Sequence, residues 1–316
     1  MRGVLSRVDR FWYRPVPATR LAALRIIIGG FTLGYVVIRR PHLMGYADFD
    51  ASQFEPTGVT SALSGTVPDD LLRVLVVLTI LAGVAFVTGT GFRATGPIFA
   101  MLLLFVTSYR NSFGQIFHTE NLMVLHVMVL SLTPAADAVS VDAWRRGETR
   151  ASEPDGRYGW GIQLMCLLTV LTYFISGQTK LRNAGLDWMT TDTLRNFVAY
   201  DNLRKAELGD SYSFLGAALV SHGWLFKPLA AFTLAAELGA PLAMLGGRIA
   251  KLWALSVWLF HVGILLVMAI LFPYPLAGVA FAPFFPVEEL WRPVKRLMRY
   301  RPEMRRLRVP STRGKG

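Results

Sequence analysis

The chain has 316 residues, 53% of them hydrophobic and only 17% charged, with a mean hydropathy of +0.41. That balance excludes an ordinary soluble domain. The net charge is +12, and the single cysteine, Cys166, excludes an intrachain disulfide and thiolate clusters of the zinc or iron–sulfur kind, which leaves any redox chemistry to a bound molecule.

A bilayer span needs roughly 17–25 mostly apolar residues. The first apolar run, Leu21–Ile38, is longer than a signal-peptide core and is followed by Arg39, Arg40 and Pro41 rather than by small residues, so it is expected to stay attached. Further runs follow at Leu71–Val87, Ala94–Thr107, Leu122–Ala136, Gly159–Ile175, Leu225–Leu245 and Leu252–Leu271, with a short one at Pro275–Val287. That makes seven or eight helices. If both termini are cytoplasmic and the helices alternate, the inner segments hold 22 of the 33 Lys and Arg residues and the outer segments hold 9. This bias sets the orientation and requires an even number of spans, so the sequence predicts an all-α bundle of about eight transmembrane helices.

No repeat or linker divides the chain. Residues 1–290 read as one membrane domain, and residues 291–316, rich in Lys and Arg, read as a basic cytoplasmic tail attracted to anionic lipid or serving as a topology anchor. Trp12, Trp144, Trp160, Trp253 and Trp291 fall near expected inner boundaries, and Trp188 and Trp224 near outer ones, as interfacial anchors do. Of the two large outer segments, Arg39–Asp70 is acidic. In Lys180–Tyr212, residues Thr190 to Asp192 are placed to cap a short helix with Leu194, Phe197 and Val198 on one side, either a lid along the interface or a plain covering helix.

Ionisable groups at membrane depth are costly and mark candidate sites. Those inside the runs are Arg25, His126, Glu237 and His261, while His118, Glu120, Lys180 and His222 lie at outer ends. Arg25 is close enough to one surface to snorkel, whereas Glu237, deep in "AAFTLAAELGAPLAML", needs a proton or a partner; Arg25 or a histidine is the expected one. A histidine such as His261 also reads simply as a core residue satisfied by a carbonyl or by Glu237. No set of residues has metal-ligand character.

Three phrases, "YFISGQTKLRNAGLDW", "ALRIIIGGFTLGYV" and "LFHVGILLVMAILFPYP", together resemble the HTTM family, whose best-known member is the vitamin K-dependent gamma-glutamyl carboxylase. "NLMVLHVMVLSLTPAADAVSVDAW" is similar to the family's fourth-span pattern, a helix ending in a Pro/Asp-containing turn before Ser-x-Asp. The resemblance runs from about Phe11 to Glu288. It implies a quinol cofactor, vitamin K hydroquinone or menaquinol, deprotonated by a lysine, with oxygen addition producing a base strong enough to ionise a glutamate side chain for carboxylation. Lys180 falls on the lysine's position, and desolvation at the end of an apolar span is a physical means of keeping such an amine neutral. His261 falls on a histidine of the same family. Where the carboxylase has an Asn-His-x-Tyr-Leu phrase, this chain reads "HTENLM", with Thr119 at the histidine's position, His118 beside it and Glu120 next.

These readings imply a multi-pass cell-membrane protein that meets membrane lipids, a quinol and a peptide or protein substrate. The first function is a quinol-oxidising enzyme using Lys180, with or without carboxylation. The second is a non-catalytic membrane partner for the maturation or export of a small secreted peptide. A lipid- or solute-handling protein with Arg25 and Glu237 in its path ranks last, because no paired broken helices are evident. Nucleic acid is excluded as a partner because the basic residues line membrane edges. The lack of an Asn-x-Ser/Thr sequon and the short loops suggest a bacterial plasma membrane.

Overall fold

The structure, a computed structural model, describes residues 8–114, 116–147 and 153–291. The expected basic tail therefore lies outside the described residues, apart from Trp291. The protein is an all-α bundle. Its helices are α1 (Ala18–Gly45), α2 (Asp69–Thr88), α3 (Phe92–Asn111), α4 (Asn121–Ser131), α5 (Val141–Arg145), α6 (Gly159–Ala184), α7 (Asp187–Thr190), α8 (Thr193–Glu207), α9 (Phe214–Leu219), α10 (Phe226–Leu238), α11 (Gly247–Met268) and α12 (Pro273–Leu276).

Five of these are long and apolar enough to cross a membrane: α1, α2, α3, α6 and α11. On α2 the apolar character runs all round the helix. Leu72, Val76, Gly83 and Phe86 are buried, while Leu71, Val74, Leu78 and Leu81 form an exposed row at helical spacing. An outward apolar row is tolerable only where the surroundings are themselves apolar. Buried hydroxyls inside the spans return their hydrogen bond to the helix, as lipid requires: Thr32 donates to Ile28 O, Thr79 to Leu75 O and Thr107 to Leu103 O, all at 2.7–2.8 Å.

The other three expected spans are built from shorter pieces, each for a readable reason. The run Leu122–Ala136 stops being α-helical at Ser131, where Thr133 turns its hydroxyl onto Leu130 O (2.7 Å) just before Pro134. The run Leu225–Leu245 breaks at Leu238 because Gly239 and Pro241 follow, and continues as a 3-10 segment, Ala240–Leu245. Pro275–Val287 carries Pro283 and Pro286 and holds only α12 and 3-10 turns.

Packing pairs α1 with α2 and α4, α2 with α3, α3 with α4, and α4 with α6; α6 in turn packs on α10 and on Ala240–Leu245, which also meets α11. The segment after α11 folds back over α6 and α1, and Arg20 closes it with an ion pair to Glu288 at 2.9 Å. The main core is centred on Leu24, Ile28, Phe99, Leu103, Met165, Val257 and Phe281, and a smaller cluster gathers Tyr46, Ala47, Leu72 and Tyr109. Trp253, expected as a boundary anchor, belongs to this core: it is buried, and its indole N–H donates to Ala236 O at 2.9 Å.

The expected interfacial helix is α8. Asp192 occupies its N-cap position but makes no side-chain cap; its carboxylate instead meets Arg195 at 3.3 Å. Val198 is buried, whereas Phe197 is exposed against Trp188 with ring centroids 5.8 Å apart. The α7–α9 segment covers the carboxyl end of α11.

Candidate functional site

Tyr173, Gly177 and Lys180 share one face of α6, at spacings of four and three residues. Gly177 is the point of closest approach to α10: a Cβ there would stand 2.8 Å from Glu237 Cβ. This approach brings the Lys180 ammonium onto Glu237 Oε1 as an ion pair. The Lys180 side chain is 22% exposed and that of Glu237 only 3%. Above and beside the amine stand two aromatic faces, Trp188 at 5.2 Å and Phe260 at 5.5 Å from ring centre to Nζ.

His261 follows Phe260 on α11 and is buried. Its Nε2 is 2.9 Å from the Tyr173 hydroxyl, and its ring lies 5.1 Å from that of Phe272. His118 approaches the other side of Phe272, with ring centres 5.9 Å apart. The three residues aligned with family positions or beside them, Lys180, His261 and His118, are thus joined through Phe260 and Phe272 without touching one another.

Among the described residues, seven buried side-chain polar atoms have no hydrogen-bond partner; two of them, Trp188 Nε1 and Glu237 Oε2, belong to residues that contact this amine, and a third, His261 Nδ1, is on the residue next to Phe260. Such atoms are expensive to leave bare. One indole donor, one imidazole nitrogen able to donate or accept, and one carboxylate oxygen are left unpaired beside aromatic faces.

The remaining residues singled out by sequence lie elsewhere. Arg25 does not pair with Glu237. It sits where α1 begins, packed against Gly89, and donates from Nη2 to Val139 O at 2.5 Å; its Nε and Nη1 are unpartnered. Gly89 is obligatory there, because its φ is +67° and a Cβ would fall 1.7 Å from Arg25 Nη1. His126 is fully enclosed, with Nδ1 2.7 Å from the Tyr274 hydroxyl and Nε2 near Met165 O (3.2 Å) and Thr169 Oγ1 (3.1 Å). It is a satisfied core histidine tying α4 to α6 and α12. His222 is exposed, beside Ser221 Oγ at 2.9 Å.

Glu120 and Thr119 belong to a separate buried network. Arg110 grips Glu120 with two parallel bonds of 2.8 and 2.9 Å, Thr119 donates to Oε2 at 2.7 Å, and the Tyr35 hydroxyl donates to Oε1. Burial would push the Glu120 carboxyl up, but these donors outweigh it and hold the group down at about 2. With both oxygens occupied, Glu120 has no capacity left for a guest. Sequence reading missed Arg110, Tyr35, Tyr173 and Tyr274. Tyr173 alone carried a signal, its position two turns before Lys180.

Described clefts lie away from Lys180 and His261. One, of about 1080 Å³, is lined by Phe92, Arg93, Asp137 and Arg157 among others; another, of about 270 Å³, lies near Arg14 and Gly246. Neither Lys180 nor His261 lines any of these clefts.

The family model for the HTTM domain matches residues 13–288. The chain belongs to the HTTM family. No curated protein and no solved structure matches it. As an HTTM protein it is a membrane protein of the carboxylase-like family, and its apolar helices place lipid around it.

Proposed function

We propose that this HTTM protein is a multi-pass cell-membrane enzyme in which the Lys180–Glu237 pair serves as the proton acceptor for a bound quinol, coupled to gamma-carboxylation or a related modification of a peptide. The observation that carries this reading is a lysine whose partner Glu237 keeps Oε2 unpaired, with Trp188 Nε1 unpaired on one neighbouring ring and His261 Nδ1 unpaired on the residue after the other, Phe260. These residues fit a quinol: aromatic faces suit the ring, and the unpaired atoms suit its oxygens. A bound quinol such as vitamin K hydroquinone or menaquinol would supply the reducing electrons and an acidic hydroxyl.

The chain's own groups divide the remaining work. Glu237 holds the Lys180 amine in place and, by taking its proton, leaves a neutral nitrogen capable of acting as base. Trp188 and Phe260 keep water from that nitrogen. When Tyr173 donates to His261 Nε2, the imidazole proton sits on Nδ1, the nitrogen free to donate to a guest oxygen. His118, exposed beyond Phe272, stands at the edge where a second substrate would enter.

The test is oxygen uptake and quinone-epoxide formation by purified protein supplied with a reduced naphthoquinone. Lys180→Met is expected to lower the rate by about 10²–10⁴-fold. Wild-type rates in folded Lys180→Met and Glu237→Gln proteins would overturn the assignment.

A second reading, a non-catalytic membrane partner for maturation of a small secreted peptide, is favoured by one fact: the amine is already held on a carboxylate. Under it the double variant Lys180→Met/Glu237→Leu keeps full maturation of the peptide. Under the enzyme reading that variant is inactive.

A further inference from the structure

The turn that closes the fourth apolar segment, Pro134 to Asp142, has no part in the chemistry above. It forms one wall of the cleft of about 1080 Å³, at the end of the bundle where α3 and α6 begin; Phe92, Arg93 and Pro97 of α3 form the facing wall, and Arg146 and Arg157 also line it. The lining carries three guanidinium groups against two carboxylates, Asp137 and Asp142.

Both carboxylates are already occupied. Asp142 accepts the backbone N–H groups of Gly91 and Phe92, each at 2.8 Å, at the start of α3. Burial would push its carboxyl up, but those donors, aided by Arg146 and Arg145, hold it below the usual carboxylate range. Asp137 is shared by Arg157 at 3.2 Å and Arg146 at 3.9 Å, and accepts the Tyr158 hydroxyl at 3.2 Å. Arg157 also reaches Asp155 at 3.7 Å, outside the cleft. Arg93 is exposed and has no ion-pair partner among the described residues. Behind Phe92 the guanidinium of Arg25, 5.9 Å from that ring, adds positive charge with two of its nitrogens unpaired. Arg93 is therefore a guanidinium of the cleft wall with no carboxylate of its own, and guanidinium forks suit a phosphate.

The mouth of the cleft continues into apolar surface. Ala94, Ile98 and Met101 follow one another along the outward face of α3, with Ile98 51% and Met101 58% exposed, and Leu132 on the facing wall is 70% exposed. Because α3 is one of the membrane-length helices, that face lies where acyl chains run, and the cleft lies where headgroups sit.

We propose that this cleft binds the phosphate of an anionic lipid headgroup between Arg93 and Arg157, with the acyl chains lying along Ile98, Met101 and Leu132. A free phosphate ester shares the headgroup's chemistry but has no use for the apolar path.

The experiment uses the purified full chain in a nonionic detergent, titrated separately with dioctanoyl phosphatidylglycerol, dioctanoyl phosphatidylcholine and inorganic phosphate, and follows the thermal midpoint and native mass spectrum. The phosphatidylglycerol lipid is expected to raise the midpoint of the wild type and of Arg40→Ala, a control at the opposite end of the bundle, with one lipid retained per chain. The zwitterionic lipid is expected to do neither. In Arg93→Ala/Arg157→Ala the apparent affinity is expected to fall by about tenfold or more. Arg157 touches Tyr158 and Asp137, so Arg93→Glu, which removes no ion pair, is read alone if the double variant does not fold; it must weaken binding likewise. Equal stabilisation by phosphatidylglycerol in wild type and Arg93→Glu overturns the site. Stabilisation by inorganic phosphate with none from the lipid overturns the lipid as its ligand.

Discussion

Glu120 and Glu237 are both nearly excluded from water, yet their surroundings differ in kind. Glu120 accepts four hydrogen bonds, two of them from Arg110, and is consumed by the structure. Glu237 accepts one, from Lys180, and keeps its second oxygen bare. Removing one member of such an enclosed pair strands the other, at a cost of roughly 3–5 kcal/mol, whereas replacing both with apolar residues is often neutral. Lys180→Met and Glu237→Gln are therefore each expected to lower the thermal midpoint in detergent, and Lys180→Met/Glu237→Leu to recover most of it; equal losses that add in the double variant would show that the pair carries no coupling. The Glu120 network makes a separate, pH-dependent forecast. Its carboxyl is depressed from 4.5 in the free state to about 2, so its contribution to stability is complete above about 4.5 and is lost as pH falls toward 2. Thermal midpoints of the wild type should drop over that interval, while Glu120→Gln, already less stable at neutral pH, should show a shallower slope there.

At the scale of elements, the carboxyl end of α11 shows why the α7–α9 segment is attached where it is. A helix leaves its last carbonyls without partners, and here three consecutive ones are met by side chains from the covering segment: Leu266 O by Ser213 Oγ at 2.5 Å, Val267 O by Asn202 Nδ2 at 3.1 Å and Met268 O by Lys205 Nζ at 2.6 Å. Asn202 Oδ1 also accepts the Ser213 N–H at 2.7 Å, which makes the three donors one unit. Lys205→Met, which keeps the apolar stem and removes the donor, should cost about 1–3 kcal/mol. Hydrogen exchange is the discriminating measurement: amides of α8 and α9 should open before those of α6, and unchanged protection in the variant would show that Lys205 does not pin the segment. The presence of α8 was legible in the sequence, since Leu194 and Val198 lie one turn apart. Its attachment was not, because, beyond local partners such as Asp201 for Lys205 (2.8 Å) and Val198 O for Asn202 (2.9 Å), the side chains of Asn202, Lys205 and Ser213 reach backbone carbonyls more than fifty residues away, which no side-chain pattern announces. The same limit hid the Lys180 partner: sequence spacing placed Glu237 at depth and required a partner, but only the close approach at Gly177 selects Lys180 over Arg25.

For the whole molecule, composition alone was enough to read an apolar helical bundle, while proline and glycine decided which runs stayed continuous. Among the described residues five long apolar helices run along the bundle, and the three other expected spans are built from shorter pieces. Contacts fix which turns share an end. Val16 bridges to Asp155, the Gly89 turn packs on Arg25 and Ser140, Arg14 and Gly246 border one cleft, and Arg20 meets Glu288, so all of these lie together. At the opposite end Arg73 meets Asp48, Glu55 and Thr57 bond to Ser112, Arg110 holds Glu120, and Lys205 caps α11. Among the described residues each end carries nine Lys and Arg, the first Arg10, Arg14, Arg20, Arg93, Arg145, Arg146, Arg157, Arg248 and Lys251 and the second Arg39, Arg40, Arg73, Arg110, Lys180, Arg182, Arg195, Arg204 and Lys205. The expected inner excess therefore rests on the Lys and Arg of the sequence outside the described residues. The positive-inside rule, applied to the whole sequence, predicts that the first end faces the cytoplasm. Single cysteines placed at Arg93 and Asp155 in a Cys166→Ala background should react with a membrane-impermeant maleimide only in inside-out vesicles, and those at Glu55 and Glu207 only in right-side-out ones. Labelling of Asp155→Cys and Glu207→Cys from the same side would contradict the expected eight-pass arrangement, because α6 alone separates them and must then fail to cross.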